Sequence, residues 1–369
     1  MTRPRIRDLG ISVGELPTGP YNAITDVAGV RVGHTTLISG EGPLRPGEGP
    51  VRTGVTVVLP HGDDPFLHKV HAAVHTINGF GKVRGFEQVR ELGQLESPIA
   101  LTNTLNVALV ADALVQYAMR QNPDIGIRTS TVNVIVGETH DGYLNDLQGR
   151  HVRDRHVWAA IETASAGPVV EGTVGAGTGT SCFGWKGGIG TASRCVPAEV
   201  GGYVVGALVQ SNFGRPQDLT VCGVPVGRHI QPPGMPSPLA PDGGSIMIVL
   251  ATDAPLTFRQ LRRLCVRSAA GLARTGSVYG HGSGDFVIAF STAHRIEHDP
   301  ASLTTTRTVL ADEARAMASL FPAVAESVEE AVLHSLFLAE TAVGRDGHTR
   351  HALPVDEVAA LVHQSGGRL

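Results

Sequence analysis

The run Gly243-Gly244-Ser245-Ile246-Met247-Ile248-Val249-Leu250 sets a hydroxyl directly behind two glycines and directly before an apolar stretch. A glycine pair lets the backbone adopt geometries closed to other residues. Such geometries suit attack of the Ser245 hydroxyl on the Gly244 carbonyl, an N-to-O acyl shift, and hydrolysis of the resulting ester. The products would be residues 1–244 and 245–369, the second beginning with a free α-amino group on Ser245. An α-amine has a reference pKa of about 7.7–8.0, suited to a general base near neutral pH. One residue would then supply both an attacking oxygen and a proton-accepting nitrogen. The same run also reads as a serine opening a strand after a glycine turn.

Two further segments carry groups of this kind. In Tyr279-Gly280-His281-Gly282-Ser283-Gly284-Asp285, the hydroxyl and the acid stand two residues apart. On an extended strand both side chains face one way. A carboxylate behind a hydroxyl that contacts a nucleophile is the logic of a base and its orienter. A glycine-rich turn feeding the strand FVIAF fits the same residues. The second segment, Glu138-Thr139-His140-Asp141-Gly142-Tyr143, gathers polar groups at the end of an apolar run. Asp141-Gly142 is a good turn pair. Glu138 can meet a substrate ammonium and Tyr143 can donate a hydrogen bond, although a plain turn accounts for the spacing equally.

Other candidates fall short. Residues 171–190 are rich in glycine but lack both G-x-x-x-x-G-K-[ST] and a G-x-G-x-x-G opening a helix. Lys186 follows Trp185 with no hydroxyl residue after it, so close backbone packing around a pocket is the better reading. His68, His71 and His75, at spacings of 3 and 4, would share one helix face. They have no HExxH motif and no acidic neighbour, so no metal site is expected there.

Apolar, β-branched runs at 54–60, 97–102, 132–138, 203–210, 245–251 and 286–290 show little polar alternation, the pattern of strands buried on both faces. Helical periodicity appears at 105–119, 257–273 and 355–363, and over 313–341 with an interruption at Pro322. Strands buried on both sides need cover on both sides, which implies a layered α/β architecture. The clearest compositional break is 228–244, with prolines at 232, 233, 236, 238 and 241, a segment that resists helix and strand. Hydrophobic residues make up 42% of the 369, enough for a substantial core, and the 46 glycines imply many tight turns. A net charge of -4 without a basic stripe points away from nucleic acid and anionic membrane. Four dispersed cysteines (Cys182, Cys195, Cys222, Cys265) suit structural burial. With no signal-peptide pattern, the expectation is a cytoplasmic protein.

With these residues in hand, the chain resembles the L-aminopeptidase/D-esterase (DmpA-type) family, which includes the β-peptidyl aminopeptidases. The resemblance runs from YNAITDVAGVRVGHTT (21–36) through TGVTVVLP, INGFGKVRG (77–85), LTNTLNV, GETHDGYLND and CFGWKGGIGTASR to GSIMIVLATDAPL (244–256) and GSGDFVIAFST (282–292). It implies a four-layer α/β/β/α sandwich forming a single catalytic domain. It also implies autocatalytic cleavage into 1–244 and 245–369, and a tetramer of cleaved pairs. Ser245 matches the nucleophile, and Ser283 and Asp285 match its partner hydroxyl and acid. Some members carry Glu where this chain has Asp285. Tyr143 and Asn212, the latter within QSNFG, match residues that hold the oxyanion, and Glu138 matches the carboxylate receiving the substrate's amino group. The implied substrates are short peptides, amino-acid amides and esters, with no cofactor. Two other readings remain at this point: an amidase or acyltransferase of the same architecture, and a non-catalytic small-molecule binding protein.

Overall fold

A computed structural model describes residues 3–234 and 243–366. Pro236, Pro238, Pro241 and Asp242 of the proline-rich stretch lie outside the described residues. One mixed sheet has the order β1 (Arg31–Ser39), β2 (Val51–Leu59), β5 (Ile99–Asn103), β6 (Ile135–Thr139), antiparallel except for the parallel β5–β6 pair. The other runs β4 (Gln94–Leu95), β3 (His68–Gly79), β12 (Gly282–Glu297), β11 (Gly243–Thr252), β10 (Val204–Asn212), β9 (Ile189–Cys195), with β11 and β12 parallel. Two short antiparallel pairs, β7 (Ser181–Cys182) with β8 (Trp185–Lys186) and β13 (Ala342–Val343) with β14 (Thr349–Arg350), lie apart from these sheets. The helices are α1 (Phe86–Leu92), α2 (Val107–Gln121), α3 (Asp154–Glu162), α4 (Phe258–Arg274), α5 (Glu313–Phe337) and α6 (Val355–Gln364).

Alternation along the central strands explains why the runs are apolar throughout. On β11, Ile246, Ile248 and Leu250 enter a core shared with α4 and α5, while Met247, Val249 and Ala251 enter a second core between the sheets. On β12, Val287 and Ala289 take the first side and Phe286, Ile288 and Phe290 the second. The other sheet repeats this, with Ile99 and Leu101 facing the inter-sheet core and Ala100 facing a third core under α2 and α3. Three cores separate four layers, helices outside and sheets inside, and the expected α/β/β/α sandwich is the fold.

Two expectations are corrected. His68, His71 and His75 lie on strand β3, not on a helix. Strand alternation sends His71 and His75 to one face and His68 to the other. His68 pairs with Glu297 at 2.9 Å and His71 meets Arg307 at 2.6 Å, so the three do not converge. The second correction concerns Pro322, which does not interrupt α5. Proline in a helix interior costs about 3 kcal/mol. Continuous burial of residues 323–337 against the sheet offsets that cost.

Candidate active site

Strand register brings the serine and its neighbours together. Ser245 stands directly across from Asn212 on β10, and on its other side β12 aligns Ser283 with Gly244 and Gly284 with Ser245. Ser245 shares the face of Met247, toward the other sheet, and is only 3% exposed. The backbone N–H of His140, just past β6, donates to Ser245 Oγ at 3.3 Å. Gly137 of β6 faces the Met247 side chain, whose terminal methyl a Cβ there would meet at 2.3 Å.

Ser283 Oγ donates to Asp285 Oδ1 at 2.6 Å, so the shorter acid reaches its hydroxyl without difficulty. Ser283 sits opposite Gly244, one step short of Ser245. Alternation turns its side chain to the side of Val287 and Ala289, opposite the side that Ser245 shares with Met247. Asn78, at the end of β3, donates through Nδ2 to the carbonyls of Gly280 (3.0 Å) and Ser283, pinning the approach to β12.

Glu138, next to last on β6, is 3% exposed. Its Oε1 accepts the Lys82 backbone N–H at 2.9 Å. Burial raises its pKa above the usual carboxylate range, and the hydrogen bonds from Lys82 and Thr104 act against that rise. Lys82 belongs to the turn after β3, where Gly81 packs against the backbone of Gly284, so Glu138 and β12 are joined through this turn.

Asp141 fixes the following turn. Its carboxylate accepts Thr53 Oγ1 at 2.6 Å and Asn145 Nδ2 at 3.0 Å. Burial pushes its pKa up to about 7. Tyr143 emerges from this turn partly exposed, stacked on His348 at 4.5 Å with the Arg350 guanidinium 3.5 Å from its ring centre. The Asn212 amide is oriented by the Ser181 N–H, which donates to Oδ1 at 2.9 Å and leaves Nδ2 as the donor side. The glycine-rich stretch is close backbone packing, as expected: Lys186 is fully buried and donates to the carbonyls of Gly177 and Gly187 at 2.8 and 2.6 Å.

All of the expected residues are thus linked, though by different routes. Register pairs Ser245 with Asn212 and brings Ser283, bonded to Asp285, next to the Gly244 backbone, although Ser283 and Asp285 take the side of Val287 and Ala289 while Ser245 takes that of Met247. Glu138 is joined through the Gly81–Lys82 turn, and Tyr143 through Arg350 and Ser181. The His140 N–H, Ser181, Arg350 and Asn78 were not singled out from sequence. His140, Asn78 and Ser181 lay within recognised segments (Asn78 in 77–85, Ser181 in 171–190) without being picked out, whereas Arg350 lay in none.

Peptidase family S58 matches residues 22–350. The chain belongs to that family. The beta-peptidyl aminopeptidase BapA of Sphingosinicella microcystinivorans is 42% identical over 97% of this chain and 92% of its own length. Among solved structures, a Burkholderia sp. beta-aminopeptidase is 41% identical with TM-score 0.90, covering 99% of this chain and 100% of that one. The L-aminopeptidase D-Ala-esterase/amidase of Ochrobactrum anthropi, described as a variant of the Ntn-hydrolase fold, is 37% identical with TM-score 0.90 over 100% of both chains. The protein is accordingly a self-processing serine aminopeptidase of family S58 that removes N-terminal residues. This sets aside the reading as a non-catalytic binding protein and the reading as an acyltransferase.

Proposed function

We propose that cleavage occurs between Gly244 and Ser245 and that Ser245 is the nucleophile of an aminopeptidase acting on short peptides, amino-acid amides and esters with free amino termini. The Ser245 hydroxyl attacks the carbonyl of the substrate's first residue. Its α-amino group takes the hydroxyl proton, assisted by Ser283, and Asp285 orients Ser283. Oxygen that gains negative charge is held by Asn212 Nδ2 and the Tyr143 hydroxyl. The collapsing intermediate expels the amine or alcohol, which takes the proton, and water then releases the acyl group from Ser245. Glu138 holds the substrate ammonium.

The observation that carries this reading is the register of three strands. It sets Asn212 across from Ser245 and Ser283 across from Gly244, with Asp285 bonded to Ser283. The strand that carries Ser283 pairs with the backbone whose nitrogen the cut would free, which supports a role for Ser283 beside that amine. Burial raises the pKa of Glu138 more than Lys82 and Thr104 lower it, so the site's buried carboxylate would gain from the opposite charge of a substrate ammonium. Preference for β-residues, as the names of the relatives suggest, is part of the same reading. So are a tetramer of cleaved pairs and a cytoplasmic location, the latter supported by four cysteines that remain free.

The test compares a free dipeptide with its N-acetyl form. The free substrate should turn over, the acetylated one should not, and Ser245→Ala should remain a single inactive polypeptide. Activity should rise through about pH 7–8 as the amine loses its proton. Equal turnover of blocked and free substrates would contradict the role of Glu138, and a rate flat from about pH 5 to 9 would contradict an amine base.

A further inference from the structure

We infer that Arg350 is a positioning residue that fixes Tyr143 and Asn212 relative to each other, so that the two oxyanion donors act as one preformed site. The inference rests on the assignment of those two donors made above.

Three segments far apart in sequence meet at this guanidinium. Arg350, on β14, lies 3.5 Å from the centre of the Tyr143 ring. Its Nε donates to Ser181 Oγ at 2.8 Å. The Ser181 backbone N–H in turn donates to Asn212 Oδ1 at 2.9 Å, which decides the side of the amide that carries the donor hydrogens. One side chain therefore reaches Tyr143 directly and Asn212 through a single residue. Its hairpin reinforces the first connection: Arg345 Nε donates to Gly142 O at 2.8 Å, Arg345 N to Leu144 O at 2.9 Å, and His348 meets Tyr143 O at 2.9 Å. Burial lowers the Arg350 pKa, and the charge interaction and side-chain hydrogen bond with Tyr143 offset part of that shift.

The chemistry calls for arginine. A planar guanidinium can stack on an aromatic ring while an edge N–H donates elsewhere, whereas a lysine ammonium is a point charge on a flexible stem. Oxyanion donors lower a barrier only when they are already aimed at the position where charge will develop. Neither Tyr143 nor Asn212 shows a direct bond to the other. Both belong to residues 1–244, while the arginine that ties them belongs to 245–369.

The experiment uses full-length protein carrying Arg350→Met, Arg350→Lys, Ser181→Ala, Asn212→Ala, or Arg350→Met with Asn212→Ala, assayed on an unblocked aminoacyl p-nitroanilide. Circular dichroism and melting temperature check the fold of each. Arg350→Met and Arg350→Lys should each lower kcat roughly 10- to 100-fold with KM within about twofold of the parent, the signature of support given only in the transition state. Ser181→Ala should lower kcat in the same direction and carries the test if Arg350→Met fails to fold. The double variant should be no more than about threefold slower than Asn212→Ala alone, because both remove one working unit. Full kcat in Arg350→Lys, a loss confined to KM, or losses that multiply in the double variant would overturn the inference. If Asn212→Ala itself keeps full kcat, the donor assignment falls; if Asn212→Ala is slow and Arg350→Met is not, only the role of Arg350 falls.

Discussion

Glu138 is held between opposing influences, with burial raising its pKa and the Lys82 N–H lowering it. A raised folded value means that the empty carboxyl keeps its proton to higher pH than a free glutamate does. A substrate ammonium must displace that proton, so KM should climb as pH falls through the acid range. Glu138→Gln removes the charge but keeps the shape. Truncating one partner of a buried charge pair costs about 2–5 kcal/mol, so kcat/KM on free-amine dipeptides should fall at least roughly 30-fold. Steady-state assays would detect this, and an unchanged kcat/KM would rule the contact out. Gly244 carries a second residue-scale prediction. A Cβ there would lie 2.7 Å from Phe213 Cα and 2.9 Å from Asn212 O, backbone atoms that cannot step aside cheaply. Gly244→Ala should therefore leave uncut chain on denaturing gels where the parent is fully cut. Ser245, Ser283 and Asp285 were legible because each signal lies within a few residues of sequence. Asn212 came only from resemblance. Arg350 gave no signal and Ser181 was passed over within the glycine-rich stretch, because what matters about them is a tertiary contact between segments 169 positions apart.

At the scale of elements, α5 is tied to the rest of the fold by buried charge. Arg194 of β9, fully buried, pairs with Glu326 at 3.0 Å and with Glu330. Arg7 meets Glu330 at 2.6 Å, and His334 lies 3.4 Å from Glu171 and 3.5 Å from Glu330. Against the cost of burial, Arg7, His334 and Arg194 lower the Glu330 pKa to about 2 from 4.5. For His334, burial is outweighed by Glu171 and Glu330, and its pKa rises above 6.5. The Glu330 contribution to stability is therefore complete above about pH 4.5 and lost as pH falls toward 2, while that of His334 is complete below 6.5 and lost as pH rises through its elevated folded value. Glu330→Gln should cost about 3 kcal/mol near pH 6, because it takes one of two carboxylate partners from the buried Arg194 and the partner of Arg7. Thermal melts should show the gap from the parent closing below about pH 4.5. A gap that stays constant down to pH 2 would contradict the linkage. The central strands were readable because both of their faces meet a core, leaving unbroken apolar runs. β3 was not readable, since its histidines at 68, 71 and 75 mimic helical spacing. β1 was missed because much of its length is only half buried and its sequence mixes polar with apolar residues.

For the whole molecule, the order of strands decides what a cut between Gly244 and Ser245 can do. Residues 245–369 supply β11 and β12, which lie in the middle of the six-stranded sheet between β10 and β3 of the first part. The ion pairs of Arg7 and Arg194 with Glu326 and Glu330 cross the same division. The two pieces should therefore co-elute on native size-exclusion chromatography and separate only in denaturant; free release of either piece would contradict this topology. The proposed active site is composite in the same sense: Ser245, Ser283, Asp285 and Arg350 would come from the second piece, and Glu138, Tyr143 and Asn212 from the first. The proposed position of the cut comes from one local motif. The layered fold could be expected from sequence, because it follows from apolar runs. How the second piece reaches back through Arg350 to organise the first could not, since no local pattern encodes it.

The intact mass of the purified protein tests the central claim most directly. Two polypeptides are expected, whose masses place the break after Gly244 and leave Ser245 with an unmodified amino terminus, alongside a single 369-residue species for Ser245→Ala. A fully active preparation containing only uncut polypeptide would contradict the account.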